Sequence, residues 1–158
     1  DLYVSNSLGK SETGLQALLR GEHSDYIDYH LRPNYPAGLG ELLSQSADKI
    51  AAIDLSDGLL ASAHILAKSS GVRVELQKSS IQALCRQKQG VSFKNALIGG
   101  EEFELLVAID PSNTILSEVF SSYSLHKIGR VNFGEGVFMR ENNERNTPLP
   151  LQGYSHKV

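Results

Sequence analysis

The 158-residue chain is 41% hydrophobic and carries a formal net charge of −3, with 15 Lys and Arg against 18 Asp and Glu. This length and apolar content suit a single domain with its own core, and the scattered basic residues argue against nucleic acid as a partner. The single cysteine, Cys85, excludes an intramolecular disulfide and a zinc site built on several thiolates. The sequence shows neither a run of roughly 18 to 20 apolar residues nor a signal peptide, so we expect a cytoplasmic protein without a membrane partner.

Hydrophobic periodicity and turn residues predict the secondary structure in chain order. The predicted elements are a helix over 11–21, a helix over 23–31, a turn-rich loop over 33–38, a helix over 39–47, a strand over 49–55, a helix over 58–68, a strand over 72–76, a helix over 80–87, an ambiguous segment over 93–98, a strand over 103–109, a helix over 110–120, and strands over 125–131 and 136–140 joined by a hairpin. Residues from 141 onward are polar and expected to be extended. In the first helix we expect Ser11 to act as the N-cap and Leu15, Leu18 and Leu19 to form the apolar stripe.

Four or five strands with about as many helices predict an α/β or α+β fold, in which helices cover a mixed sheet. The chain starts without a Met and enters almost at once into the strand-like residues Leu2, Tyr3 and Val4. We therefore expect residues 1–158 to be one domain of a longer protein.

Residues 53–59 place two carboxylates and a hydroxyl between an apolar run and an amphipathic helix. Ser56 or Asp57 can act as the helix N-cap, which is a common role for these residue types. Asp54 does not fit that role, because a second carboxylate nearby adds only repulsion unless a cation lies between the two. Carboxylates with a hydroxyl suit Mg²⁺, which takes hard oxygen ligands and shares them with substrate phosphates. The motif favours metal and phosphate chemistry.

A second acidic motif begins with a diglycine at 99–100 and contains Glu101, Glu102 and Glu104. Strand alternation puts Glu102 and Glu104 on one face and Glu101 and Phe103 on the other. A solvated strand entrance explains the segment about as well as a ligand site does. The two glycines tip the balance slightly toward function, because they let the backbone approach a ligand closely.

The remaining polar residues suggest no covalent chemistry. The five histidines lie far apart without metal-ligand spacing. The sequence also contains no Gly-x-Ser-x-Gly elbow, so we expect no catalytic side-chain nucleophile.

The two acidic motifs, Ala52-Ile53-Asp54-Leu55-Ser56-Asp57-Gly58-Leu59 and Gly99-Gly100-Glu101-Glu102-Phe103-Glu104-Leu105-Leu106, resemble those of the C-terminal domain of thiamine-monophosphate kinase. That family belongs to the aminoimidazole-ribonucleotide-synthetase-like superfamily. Similar segments over 7–15, 30–33 and 153–156 extend the resemblance over nearly the whole chain.

The resemblance implies that the γ-phosphoryl group of ATP is transferred to thiamine monophosphate, giving thiamine diphosphate, with Mg²⁺ as cofactor. It implies that Asp54 and Asp57 hold Mg²⁺, that Ser56 contacts the nucleotide phosphates and that Glu101 contacts the thiamine moiety. It also implies a homodimeric full-length enzyme whose N-terminal domain supplies most of the metal carboxylates and nucleotide contacts. That domain is not expected within residues 1–158, so the isolated chain is expected to be inactive or nearly so.

Two positions depart from the family pattern. Glu102 replaces the usual Asp, and Leu151 stands where an aromatic residue can stack on the substrate, which makes Leu151 a further candidate substrate contact. The alternatives are another ATP-dependent synthetase of the same superfamily and a non-catalytic binding domain that has kept the fold.

Overall fold

The computed structural model describes residues 1–46, 49–88, 90–141 and 145–152, in which seven strands and seven helices are found. The strands are β1 (Leu2–Ser5), β2 (Ile50–Asp54), β3 (Arg73–Gln77), β4 (Leu105–Ile109), β5 (Leu125–Asn132), β6 (Gly136–Glu141) and β7 (Arg145–Pro148). The helices are α1 (Lys10–Arg20), α2 (Tyr26–Leu31), α3 (Leu39–Ser44), α4 (Leu59–Ser70), α5 (Lys78–Arg86), α6 (Phe93–Ile98) and α7 (Ile115–Ser122). No helix in these described ranges is both long and apolar enough to cross a bilayer.

All seven strands form one mixed sheet in the order β2-β4-β1-β5-β3-β6-β7. Neighbouring strands are antiparallel except β3 and β6, which run parallel. The predicted mixed sheet with helices is therefore confirmed, although β1 and β7 raise the number of strands above the four or five expected. The ambiguous segment 93–98 is helix α6, and the predicted helix over 39–47 ends earlier, at Ser44, while Ala47 lies outside the described residues.

Helices pack on both faces of the sheet. Helices α4, α5 and α6 bury the larger core, which is centred on side chains such as Leu60, Leu76 and Ile128. Helices α3 and α7 cover the other face of β1 and β4 with the smaller core, which includes Leu39, Val107 and Val119. Burial of these apolar side chains is the main source of stability, at roughly 25 cal/mol per Å² of apolar surface removed from water.

Helix α1 buries a different face from the one predicted. Leu18 and Leu19 of the expected stripe are 44% and 77% exposed. The buried residues of α1 are Ser11, Gly14 and Ala17. The backbone of α2 crosses this face so closely that a Cβ on Gly14 would collide with the Tyr26 carbonyl, and only small residues fit there.

The predicted hairpin between β5 and β6 is wrong, because β3 lies between these two strands. Arg73 at the start of β3 is paired with Asn132 of β5 on one side and with Gly136 of β6 on the other. The short connection therefore spans two strand spacings, about 10 Å. Local sequence suggests adjacent strands here, but the pairing is decided by a strand more than 50 residues earlier in the chain.

The strand directions bring several chain segments to one end of the sheet. Asp54 at the end of β2 is paired with Leu105 at the start of β4. Ser5 at the end of β1 is paired with Leu125 at the start of β5. Both acidic motifs and the loop before α1 therefore lie at this end, which is called the site end below.

Candidate functional site

The two acidic motifs form two turns joined by backbone hydrogen bonds at the site end. The Leu55 N–H donates to the Glu104 carbonyl at 2.8 Å, and the Glu101 N–H donates to the Ser56 carbonyl at 2.7 Å. The Glu102 N–H also donates to the Leu55 carbonyl, at 3.3 Å. The residues joined in this way are more than 40 positions apart in the sequence, and these hydrogen bonds make the two motifs one unit.

The first turn presents polar side chains to solvent. Asp54 and Asp57 are exposed, and Ser56 is half-buried. The N-cap of α4 is Gly58, and no side chain caps this helix. The capping interpretation of Ser56 and Asp57 is therefore wrong, and these side chains keep their oxygens for other partners.

Gly58 is required where the first turn meets the second. Its φ of 96° and ψ of 162° lie in a region that is essentially restricted to glycine. A Cβ at this position would also lie 2.8 Å from the Gly99 carbonyl oxygen. Any larger residue would strain the backbone and push the two turns apart.

In the second turn, one glutamate is exposed to solvent and the other two are buried in the protein. Glu101 is exposed, whereas Glu102 and Glu104 are 2% and 1% exposed. The predicted separation of Glu101 from the other two is confirmed, but the solvated strand entrance is wrong. Strand β4 begins only at Leu105, and Glu101 and Phe103 have φ values of 58° and 52°, in the left-handed region that non-glycine residues seldom adopt.

The buried carboxylates are held by groups from the N-terminal part of the chain. Glu104 accepts hydrogen bonds from Ser5 Oγ at 2.6 Å, Asn6 Nδ2 at 3.0 Å and Tyr29 Oη at 3.0 Å. Glu102 Oε1 accepts from the Ser11 N–H at 2.9 Å, in the first turn of α1. Oε2 of Glu102 is buried and has no partner within the described ranges.

Burial controls the protonation of this network. Burial raises the pKa of Glu102 to about 8, against the opposing Ser11 N–H, and the charge of Glu104 adds to the rise. Burial also raises the pKa of Glu104, although its Ser5, Tyr29 and Asn6 donors oppose the change. The charge of Glu104 thus makes the charged form of Glu102 more costly.

Lys10 is a basic side chain whose charge acts on both of these acids. Its Nζ lies 4.7 Å from the centre of the Tyr29 ring, a cation–π contact. Burial and the charge of Lys88 lower the Lys10 pKa, while Glu104 and Glu102 act in the opposite direction. Burial and the neighbouring glutamates raise the pKa of Tyr29, so its hydroxyl remains a donor.

Ser5, Asn6 and Tyr29 were not predicted from the sequence to be parts of this site. They lie 75 to 99 positions before the glutamates that they contact, and no local pattern links them. One available signal was the presence of three carboxylates ahead of an apolar strand, because a buried acid requires donors from elsewhere in the fold.

The first turn presents oxygen donors to solvent without forming a complete metal site. Across the described residues, no three His, Cys, Asp or Glu side chains converge as a complete metal site would require. Asp54 and Asp57 supply exposed hard oxygen donors, and Mg²⁺ is often held by one or two carboxylates together with water and substrate phosphates. The donor set therefore fits Mg²⁺ bound jointly with a phosphate ligand.

Leu151 is not brought to the two turns. It is 67% exposed and follows β7, which runs away from the site end because Arg145 is paired with Glu141 and Pro148 with Phe138. The similar segment 153–156 lies outside the described residues.

Comparisons with known proteins identify relatives along nearly the whole chain. It is 33% identical to a thiamine-monophosphate kinase of Aquifex aeolicus over 152 residues, covering 87% of this chain and 47% of that protein. It is 32% identical to a thiamine-monophosphate kinase of Pyrococcus horikoshii over 155 residues, covering 97% and 48% respectively. The chain thus spans about half the length of the curated relatives it matches. No family model matches the chain.

Solved structures share this architecture. A structure of AaThiL complexed with AMPPCP and TMP matches with a TM-score of 0.73 and 29% identity, covering 99% of this chain and 50% of that one. Escherichia coli HypE, a hydrogenase maturation protein, matches with a TM-score of 0.67 and 21% identity over 95% of this chain and 49% of that one. The likeness to HypE shows the fold alone.

The mixed sheet and its two joined acidic turns thus define a domain of the aminoimidazole-ribonucleotide-synthetase-like fold. Within that fold, the chain is a homologue of thiamine-monophosphate kinases over about half of their length.

The raised pKa of Glu102 predicts a pH-dependent stability. From its ordinary value of 4.5 up to about 8, Glu102 loses its proton in the unfolded chain but keeps it in the folded one. The free energy of unfolding should therefore be highest below this window and fall as the pH rises through it, by at most about 1.4 kcal/mol per pH unit. Urea unfolding between pH 5 and 8.5 measures this dependence, and the free energy of unfolding should fall less steeply with pH in Glu102→Gln than in the wild-type protein. The exposed neighbour variant Glu101→Gln is the control, and an unchanged slope in Glu102→Gln would contradict the assignment.

Proposed function

We propose that this chain is the C-terminal half of an ATP-dependent kinase that converts thiamine monophosphate to thiamine diphosphate with Mg²⁺. The observation that carries the proposal is the joined pair of turns at the site end, where Asp54, Ser56, Asp57 and Glu101 lie in one hydrogen-bonded unit. The relatives named as thiamine-monophosphate kinases support it, as does the AaThiL complex with AMPPCP, an ATP analogue, and TMP.

In this proposal Asp54 and Asp57 hold Mg²⁺ against the phosphates. When bound, the metal would neutralise part of the negative charge on ATP and on the phosphate group of the acceptor. Without a cation the two aspartates repel ATP, so nucleotide binding to this half-site depends on the metal. Because phosphoryl transfer is catalysed mostly by positioning and electrostatics, no covalent side-chain nucleophile is needed.

Ser56 and Glu101 bind the two substrates in this proposal. The half-buried Ser56 hydroxyl donates a hydrogen bond to a phosphate oxygen of the nucleotide. The Glu101 carboxylate faces outward from the turn that Ser56 anchors, and it contacts the thiamine moiety, whose thiazolium ring is cationic. Both roles require a fixed distance between Ser56 and Glu101. The hydrogen bond from the Glu101 N–H to the Ser56 carbonyl maintains that distance.

The remaining parts of the proposed enzyme lie outside residues 1–158. We propose an N-terminal domain that supplies further carboxylates and nucleotide contacts, and a homodimer as the functional state. The incomplete metal donor set of the described residues favours a site shared with another domain. The use of ATP favours action in the cytoplasm. No observation favours another synthetase or a non-catalytic role, since the likeness to HypE extends to the fold alone.

The function is tested by following ATP consumption by the longer protein that contains this chain. With Mg²⁺ present, we expect turnover with thiamine monophosphate, none with thiamine or without an acceptor, and thiamine diphosphate as the product. A folded protein that consumes ATP with none of these acceptors would overturn the proposal.

Asp57→Asn should lower kcat/KM of the longer protein by about 100-fold or more, since metal charge stabilisation is worth several kcal/mol. The variant keeps the shape of the side chain, and the unfolding midpoint should be nearly unchanged. Asp110→Asn is the matched control, because Asp110 is an exposed aspartate at the opposite end of the sheet. Equal activity of the two variants would remove Asp57 from the metal site.

Glu101→Gln should raise KM for thiamine monophosphate by about 10-fold or more, because a hydrogen bond to a charged group is worth roughly 1.5–3 kcal/mol. KM for ATP should change much less. Steady-state kinetics with each substrate varied in turn measures the two values, and an equal rise in both would make Glu101 a structural residue of the turn.

A further inference from the structure

The second turn has an unusual backbone that its own residues do not explain. Glu101 and Phe103 both adopt left-handed φ values, and neither is a glycine. Such conformations persist only where the surrounding structure holds them in place. The residues between and after them, Glu102 and Glu104, are the ones that point into the protein.

Glu102 links this turn to helix α1. The N-cap of α1 is Gly9, in the left-handed region, and no side chain of the loop caps the helix. Oε1 of Glu102 instead accepts the hydrogen bond of the Ser11 N–H in the first helical turn, from 91 residues away in sequence. The acceptor oxygen at this position satisfies a backbone donor that lacks an intrahelical partner.

Glu104 links the same turn to the end of β1 and to α2. Its carboxylate accepts hydrogen bonds from Ser5, Asn6 and Tyr29. Ser5 Oγ in turn accepts the Leu105 N–H at 2.8 Å, so the hydroxyl joins the buried acid to the first residue of β4. The turn is thus held on both sides of Phe103.

The backbone of the same residues carries the first turn. The Glu101 and Glu102 N–H groups donate to the carbonyls of Ser56 and Leu55, and the Glu104 carbonyl accepts the Leu55 N–H. Any movement of residues 101–104 therefore shifts Ser56 and the aspartates on either side of it.

We propose that Glu102 and Glu104 are positioning residues, whose buried carboxylates hold the second turn so that Glu101 and the Asp54–Asp57 turn keep one fixed geometry toward their ligands. The proposal deepens the proposed kinase function and, for its effect on substrate binding, rests on it. The side chains of Glu102 and Glu104 are bonded to groups of α1, α2 and β1 rather than to the first turn.

Hydrogen–deuterium exchange on residues 1–158 tests the positioning role without any substrate. Glu102→Ala removes the acceptor of the Ser11 N–H and should speed exchange of the Leu55 and Glu101 amides at least about tenfold beyond the change in global stability. Glu102→Gln, which keeps an acceptor oxygen, should restore most of the protection. Tyr29→Phe removes one donor to Glu104 and should give a smaller change in the same direction, which keeps the test decisive if Glu102→Ala does not fold.

Glu75→Ala is the matched control. Glu75 is also a buried acid, 4% exposed and bound by Arg73 and Arg130, but it lies on β3 away from both turns. Its loss should speed exchange only in parallel with global unfolding. If Glu102→Ala and Tyr29→Phe behave in the same way as Glu75→Ala at the Leu55 and Glu101 amides, the two glutamates merely stabilise the fold and the proposal is overturned.

Kinetics of the longer protein tests the consequence for substrate binding. Glu102→Ala should raise KM for thiamine monophosphate about tenfold, the loss expected for one misplaced charged hydrogen bond. Glu102→Gln should restore KM toward the wild-type value, and Glu75→Ala should leave it unchanged. An unaltered KM in Glu102→Ala would overturn the functional half of the inference. Absence of kinase activity in the wild-type protein would instead overturn the proposed function, while the exchange experiment would still decide the positioning role.

Discussion

The antiparallel pairing of β2 with β4 is the constraint on which the site depends. It places the end of one strand beside the start of the other, so the turn after Asp54 and the turn before Leu105 must meet. The hydrogen bonds of Leu55 and Glu101 then join the two turns into one unit. Because strand register is fixed by the buried faces of the sheet, the geometry of the site follows from the packing of the core.

The joined turns combine exposed acids with buried ones, and the two sets have different chemistry. Asp54, Asp57 and Glu101 are exposed, so their carboxyl oxygens are accessible from solvent. Glu102 and Glu104 lose solvation on burial, which is offset in part by donors from α1, α2 and β1. Burial of these acids costs desolvation free energy, and in return their hydrogen bonds hold a strained backbone in place.

The exposed oxygen donors at the site end are few. Among the described residues no three metal-ligating side chains converge, and the chain matches about half the length of its thiamine-monophosphate kinase relatives. In the function that we propose, Mg²⁺ would be held jointly with a second domain and the substrate phosphates.

The sequence by itself determined the class of the fold and the two acidic motifs, because these depend on local periodicity and residue chemistry. Strand alternation also predicted the separation of Glu101 from Glu102 and Glu104, but in the structure this separation arises from left-handed backbone at Glu101 and Phe103, ahead of the strand that begins at Leu105. Only the tertiary structure decided that β3 separates β5 from β6, that α1 buries Gly14 rather than Leu19, and that Gly58 is the N-cap of α4. It also decided that Ser5, Asn6 and Tyr29 hold the buried Glu104 and that the Ser11 N–H holds Glu102. These features arise from contacts between segments far apart in the chain, and such contacts leave no periodic signal in the local sequence.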